Sequence, residues 1–542
     1  MKFPINRFRQ VSVSLLLSFT LVFPAILLAA VEKADNGLIS STADHSQFKE
    51  LQEPFKIGPD VTEACLKCHT EASKQLHQTK HWNWKFTNPE TGQTVGKTEV
   101  INNFCLAVET NYPRCTSCHI GYGWKDASFD FTSEKNVDCL VCHDTTGSYK
   151  KYPAGAGHPA YKDKPFPPKG GKKIFKAVDL NKVAQNVGKT TRATCGACHF
   201  YGGGGDGVKH GDLDSSMTNP DSKLDVHMGT DGLNFVCADC HTTDGHETQG
   251  SRYNPVAKDK HGIDVIGRDD KSRATCESCH GLEPHPETVN NKLNEHTDRV
   301  ACQTCHIPTF ARGGKPSKMW WDWSTAGRKT PDGKPIKEKD KNGYVTYVTK
   351  KGHFRWGENL EPEYRWLSGN IRFRSVGEKI DPTQVVSLNV FDGSYDDMDA
   401  RIWPFKVMRG KQAYDKVNNT MAIAHLFGKD KDAYWKSYSW SKSLANAMKA
   451  AGEEFSGEYD FMETEMYWPL AHMVAPKEES LQCEECHSKD GRLANLTDFY
   501  LPGRDNNGML DIIGWLAVAG TLGGVSLHGF VRILAGRRRK NS

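Results

Sequence analysis

The sequence predicts a mainly α fold with long loops and a C-terminal transmembrane helix. Three observations predict it. The pentapeptide Cys-x-x-Cys-His occurs eight times in 542 residues. Only 37% of the residues are hydrophobic, low for a chain of this length. An apolar run of bilayer-spanning length stands just ahead of a basic C-terminus. The cysteine pairs of the motifs are Cys65/Cys68, Cys115/Cys118, Cys139/Cys142, Cys195/Cys198, Cys237/Cys240, Cys276/Cys279, Cys302/Cys305 and Cys483/Cys486. The histidines that follow are His69, His119, His143, His199, His241, His280, His306 and His487. This is the attachment signature of a c-type haem. Two thiols add across the vinyl groups, and the adjacent imidazole is set under the ring as the proximal iron ligand. Zinc sites do not place a histidine directly after every second cysteine. Eight porphyrins, roughly one per 60 residues, supply the apolar core that the composition lacks. The chain therefore reads as a multihaem cytochrome c packed around eight covalently bound haem c groups.

Taken in order, Lys2, Arg7 and Arg9 precede an apolar run from Val11 to Leu28 that ends at Ala29-Ala30. That pattern marks 1–30 as a signal peptide. Sixteen of the seventeen cysteines sit in haem motifs, and attachment of this type belongs to an oxidising space. Residues 31–507 then form a periplasmic haem domain. Seven motifs crowd into 65–306, with starts 50, 24, 56, 42, 39 and 26 residues apart, too uneven for a tandem repeat. Lys162–Lys173, with its prolines and glycines among lysines, reads as a solvated loop. Residues 307–482 carry no motif and are rich in aromatics, including Trp320, Trp321, Trp323, Trp366 and Trp468. They read as a wall packed on porphyrin faces. Within them Asn342–Gly357 alternates like a β-hairpin, and Lys431–Gly452 reads as a helix ended by glycine. The eighth motif occupies 483–487. The segment 511–532 is long and apolar enough to span a bilayer. The tail 533–542 holds Arg537, Arg538, Arg539 and Lys540, which makes it cytoplasmic by the positive-inside rule. The haem domain is thereby anchored on the periplasmic side of the bacterial inner membrane.

The formal charge of +4 would suggest an anionic partner. Sixteen haem propionates would instead bring the holoprotein to about −12, which excludes a nucleic-acid role.

Eight proximal histidines leave eight distal positions to fill or leave open. An iron held by histidine on both sides only transfers electrons. The preferred distal ligands are His81, His210, His227, His246, His285, His296 and His472; His45 is set aside as too close to the mature N-terminus. His296 and His472 shortly precede the seventh and eighth motifs, so a chain leaving one ring would feed the next. A catalytic haem needs an exchangeable cap, and Lys189, six residues before Cys195, is the candidate amine. Cys105 is the one cysteine outside the motifs. It is either an inert buried thiol or a thiolate beside a reactive haem.

Several long strings resemble the octahaem tetrathionate reductase family: Val187–Asp214, Arg114–Asp126, Asp298–Pro308, Pro404–Asp415 and Tyr467–His487. The resemblance covers roughly 60 to 500. It implies a compact haem-packed α fold and one catalytic haem with histidine on one face and lysine on the other. That haem would be the second, at Cys115 and Cys118, with His119 proximal and Lys189 distal. The remaining seven would be bis-histidine. The active-site cysteine would fall on Cys105, an active-site asparagine on Asn102, and an acidic residue on Asp126.

The expected reaction is two-electron reduction of tetrathionate to thiosulfate at the second haem, with Cys105 attacking the central S–S bond. Arg409 and Lys411 would line the entrance for the dianion. The rival expectations are a nitrite or hydroxylamine reductase, in which Cys105 is dispensable, and a non-catalytic electron conduit with all irons closed. Either enzyme takes a small anionic sulfur or nitrogen oxo-substrate. The membrane anchor points to a quinol-linked inner-membrane cytochrome as electron donor.

Overall fold

The computed structural model describes residues 42–103, 107–168, 170–264, 274–286, 291–505 and 507–540. Residues 1–30, the expected signal segment, and Cys105 lie outside them.

Each haem motif closes about one turn of helix. One turn brings residues three and four apart to the same face, which carries both thiols and the imidazole to one side. Cys237–Cys240, Cys276–His280, Cys302–His306 and Cys483–Cys486 are such turns. Arg192–His199 is a longer version. The Thr191 hydroxyl caps it by accepting the Thr194 N–H at 3.2 Å, and the helix ends once His199 is placed.

The motif-free region is built on a nine-stranded sheet with two short α-helices beside it, so the expectation of a mainly α fold is corrected to short helices plus one large sheet. Its strands in chain order are β1 (Ser317–Asp322), β2 (Lys337–Lys339), β3 (Val345–Val348), β4 (Gly352–Gly357), β5 (Glu363–Leu367), β6 (Val386–Ser387), β7 (Arg401–Asp415), β8 (Thr420–Met421) and β9 (Tyr459–Pro469). The spatial order is β6-β9-β7-β1-β4-β3-β2, with β5 and β8 also pairing with β7. β7 is the spine, antiparallel to β9 over eleven residue pairs and parallel to β1. Its residues are buried along almost the whole length, so no period-2 alternation marks it as a strand. Gly410 is required where β7 meets β1, because a Cβ there would stand 2.3 Å from the Trp321 carbonyl oxygen.

The Asn342–Gly357 hairpin forms as expected, as β3 and β4. The Lys431–Gly452 helix is split: Tyr434–Ser437 ends at Tyr438 in the left-handed region, and Trp440–Ala450 follows. Lys164–Phe166 and Lys173–Phe175 pair antiparallel, so the lysine-rich loop is a hairpin.

A buried ion pair joins the two halves. Arg401 at the start of β7 meets Glu277, which lies inside the sixth motif, with side chains 5% and 9% exposed. Breaking such a pair from one side leaves an uncompensated charge. Arg401→Met is therefore expected to cost about 3–5 kcal/mol, read by chemical denaturation of the holoprotein.

Gly508–Lys540 is, among the described residues, the helix long and apolar enough to cross a membrane. No part of it is buried against the rest of the chain.

Candidate functional site

The motifs touch one another through their thiols. Cys65 meets Cys139, Cys118 meets Cys198, Cys195 meets Cys237 and Cys276 meets Cys302 in hydrogen-bonding contact. Electrostatic neighbours complete the series: Cys142 with Cys195, Cys240 with Cys279, and Cys305 with Cys486. The motifs thus follow one another in space as first, third, fourth, fifth, sixth, seventh, eighth. The second hangs as a side branch on the fourth.

The attachment cysteines differ in exposure, and Cys68 lies at the open extreme. This thiol is exposed, although its N–H still closes the motif turn on the Cys65 carbonyl at 3.1 Å. The first motif ends the series and has a motif neighbour on one side only; Cys65 takes that contact and leaves Cys68 facing water. Cys483 is exposed at the other end of the series, and Cys240 and Cys279 are exposed where the fifth and sixth motifs meet. The remaining motif cysteines are half-buried.

Six motif histidines have a second imidazole facing them. The pairs are His69 with His45 (ring centroids 6.4 Å apart), His199 with His81 (6.2 Å), His241 with His472 (6.1 Å), His280 with His227 (5.9 Å), His306 with His285 (6.4 Å) and His487 with His296 (6.0 Å). Such a spacing leaves room for one metal ion bonded at about 2 Å to each ring. Many of these rings are held by Nδ1, which leaves Nε2 to face the gap. His241 bonds the Gln249 carbonyl at 2.8 Å and His487 the Pro502 carbonyl at 3.1 Å. His285 bonds Asn294 at 3.1 Å. His472 bonds buried Asp212 at 3.0 Å, and the same carboxylate accepts the Ala471 and His472 N–H groups. Outer partners of this kind fix tautomer and ring direction. At the third motif His143 is held by the Gly188 carbonyl at 2.7 Å, and His246 lies beside it, held by Gln75 at 2.8 Å. These residues fit haem irons with two imidazoles.

The second motif differs. His119 is fully buried and wedged among Trp124 (4.7 Å), Trp82 (5.0 Å) and Trp84 (5.3 Å). Burial pushes its pKa down to about 3, so the ring stays neutral. Its Nε2 lies 2.7 Å from the Trp82 carbonyl and its Nδ1 is buried without a partner, so offering Nε2 to a metal requires the ring to turn from Trp82. Among the described residues no histidine ring packs against it. Cations gather nearby instead. Lys97 lies 3.9 Å over Trp84. Lys209 and Arg252 share the face of Trp468, at 5.3 Å and 4.4 Å. Burial holds the Lys209 amine well below the usual lysine range, and the charges of Arg252 and Lys97 act the same way. The group acting on it in the opposite sense is the thiol of Cys118, inside the second motif. No carboxylate pairs with Lys209 among the described residues.

Several expectations change accordingly. Lys189 is exposed, and its neighbour Gly188 exchanges hydrogen bonds with His143, so the chain carries it past the third motif and not to the second. Among the described residues His210 faces no motif histidine; its ring stands edge-on to Trp468 at 5.2 Å. His45, set aside by its position, faces His69, because a short turn capped by Asp44 folds it back. His296 and His472 keep the expected arrangement, since each faces the ring of another motif, His487 and His241, before its chain feeds the next one. Asp126 is exposed and caps its own turn, accepting from the Ser128 N–H at 3.0 Å. Asn102 is tied to the sheet through Gln412, which donates to its carbonyl at 3.0 Å. Arg409 and Lys411 are neutralised by Glu363 (2.6 Å) and Glu463 (3.6 Å), which removes both as free cations at an entrance. Lys209 was legible as a lysine inside Val187–Asp214, but glycines at 202–205 and 207 make that stretch read as solvent-exposed.

The pairing of His45 is testable directly. His45→Ala is expected to add one high-spin, ligand-binding ferric haem per chain, seen in the absorption and electron paramagnetic resonance spectra.

Residues 318–490 match the family model described as "Cytochrome c bacterial", and 64–144 match "Cytochrome c554 and c-prime". A crystal structure of an octahaem cytochrome c from Shewanella oneidensis is similar, with 43% sequence identity and a TM-score of 0.71, covering 84% of this chain and 96% of that one. An uncharacterized protein of Archaeoglobus fulgidus is 24% identical over 279 residues, spanning 44% of this chain and 92% of its own.

Proposed function

This chain belongs to the octahaem cytochrome c family, and from that premise we propose that it is a periplasmic reductase of tetrathionate acting at the second of eight haem sites. The observations that carry the reading are Lys209, a half-buried amine with no carboxylate partner that interacts electrostatically with Cys118 of the second motif, and His119, against which no histidine ring packs among the described residues. The bound haems supply one-electron carriers and an iron that accepts exchangeable ligands. His119 would hold that iron from one side, and Lys209 is the amine proposed to cap it from the other.

Arg252 and Lys97 bring positive charge to Lys209, which favours a small dianion and raises its local concentration. Cys105, ten residues before Cys115, is the thiol proposed to attack the substrate. Its thiolate displaces one thiosulfate from the central S–S bond and keeps the other half as Cys–S–S–SO3⁻. Two electrons then release the second thiosulfate and restore the thiolate, so one tetrathionate and two electrons give two thiosulfates.

The motif order suits delivery from a membrane. The eighth motif ends one branch and precedes Gly508–Lys540 by about twenty residues, while the second motif ends another. Electrons from a quinol-linked membrane cytochrome would enter at the eighth site and leave at the second. Parallel assays of the holoprotein with tetrathionate and nitrite under a reduced dye test the reading: turnover of tetrathionate supports it, and turnover of nitrite alone overturns it.

A further inference from the structure

Lys406, in the middle of β7, has none of its surface exposed. Burying an ammonium without a carboxylate is costly, and none hydrogen-bonds it among the described residues. Its Nζ donates to the Val208 carbonyl at 3.0 Å, the Lys209 carbonyl at 3.1 Å and Ser317 Oγ at 2.5 Å. Ser317 opens β1, the parallel neighbour of β7, and is 1% exposed. Its single hydroxyl proton has the Gly207 carbonyl at 3.0 Å and the His210 carbonyl at 3.3 Å within reach. Two side chains from adjacent strands therefore bond three of the four consecutive carbonyls Gly207 to His210 at a time, Val208 and Lys209 through Lys406 and Gly207 or His210 through Ser317. A loop normally turns such carbonyls to water. Here they are held against the sheet at Lys209, the residue proposed above to cap the second site. The entry to the segment is fixed too: Gly207 has a φ of 63°, and a Cβ there would meet the Pro316 carbonyl at 3.0 Å.

We infer that Lys406 and Ser317 form a carbonyl clamp that positions the Lys209 backbone, so that its amine reaches the second haem site in a single pose. The inference rests on the reading of Lys209 given above. Neither clamp residue touches substrate or cofactor; both act through Lys209.

The test compares full-length holoprotein carrying Lys406→Met, Ser317→Ala or Lys209→Leu. Electron paramagnetic resonance separates the amine-ligated haem from the bis-histidine haems, which serve as internal control for folding. Lys406→Met is expected to keep the bis-histidine signals while the amine-ligated signal weakens or becomes heterogeneous. Its kcat for tetrathionate should fall on the order of 10²-fold, the effect of a misplacement of about 1 Å, with KM little changed. Ser317→Ala should move both readouts in the same direction by less, and it decides the matter if Lys406→Met does not accumulate as holoprotein. Clamp variants with the native amine signal and kcat, beside a Lys209→Leu protein that has lost both, would overturn the clamp alone. A Lys209→Leu protein with the native signal would overturn the reading of Lys209 and the clamp with it.

Discussion

Replacing Lys209 by leucine is expected to open one haem per chain without weakening the fold. Leucine fills much of the same space and cannot bind iron, so the amine-ligated signal should vanish and a high-spin ferric signal should replace it. The bis-histidine signals should persist, because no other ring pair involves this residue. Tetrathionate turnover should fall about 10²–10³-fold, the usual loss when one preorganised polar group is removed from a water-poor site. Thermal stability should hold or rise. An ammonium in this position is opposed by burial and by Arg252 and Lys97, so deleting it removes a cost and no ion pair. A purely structural lysine would behave in the opposite way, with stability lost and spectrum kept.

Cys105→Ala separates the two enzyme chemistries. If the thiolate carries half of the substrate, tetrathionate reduction should drop to the background of dye and haem alone. Nitrite needs no sulfur acceptor, so any nitrite reduction by the same preparation should be unchanged. A Cys105→Ala protein that still cleaves tetrathionate at the native rate would remove the covalent step and leave the iron site as the whole machinery. Cys105→Ser, which keeps size and polarity, should behave like the alanine variant, because the sulfur adduct needs a sulfur nucleophile.

The attachment sites were fully legible in the sequence because their chemistry is local: two thiols and an imidazole within five residues, closed by one helical turn. How deeply each lies was not, since the exposure of Cys68 follows from the place of the first motif at the end of the series. The opposite ligands were legible as residue types and only partly as positions. His227 faces a motif about fifty residues on, and His472 faces one far upstream, so the pairing is set by tertiary packing and not by chain distance. Proximity misled at His45, discounted for its place in the chain, and at Lys189, favoured for its spacing to Cys195. The surroundings that mark Lys209 are Trp468 on β9 and Arg252 on a distant loop, contacts with no local trace. The sheet escaped for a related reason. β7 is covered on both faces and shows no alternation, while the hairpin β3–β4, shielded on one side only, does. Lys406 is the sharpest case. Within PFKVMRGK it reads as one more charged residue, and only the register of β7 against β1 turns it inward to the 207–210 carbonyls.

Cyanide titration of the oxidised holoprotein, followed by electron paramagnetic resonance, tests the central claim most directly. The account predicts that a single haem per chain takes up the ligand, that this haem is the amine-ligated one, and that Lys209→Leu makes it bind without first displacing an amine. Eight haems that all ignore cyanide, or an exchangeable haem whose resting spectrum Lys209→Leu leaves untouched, would contradict it.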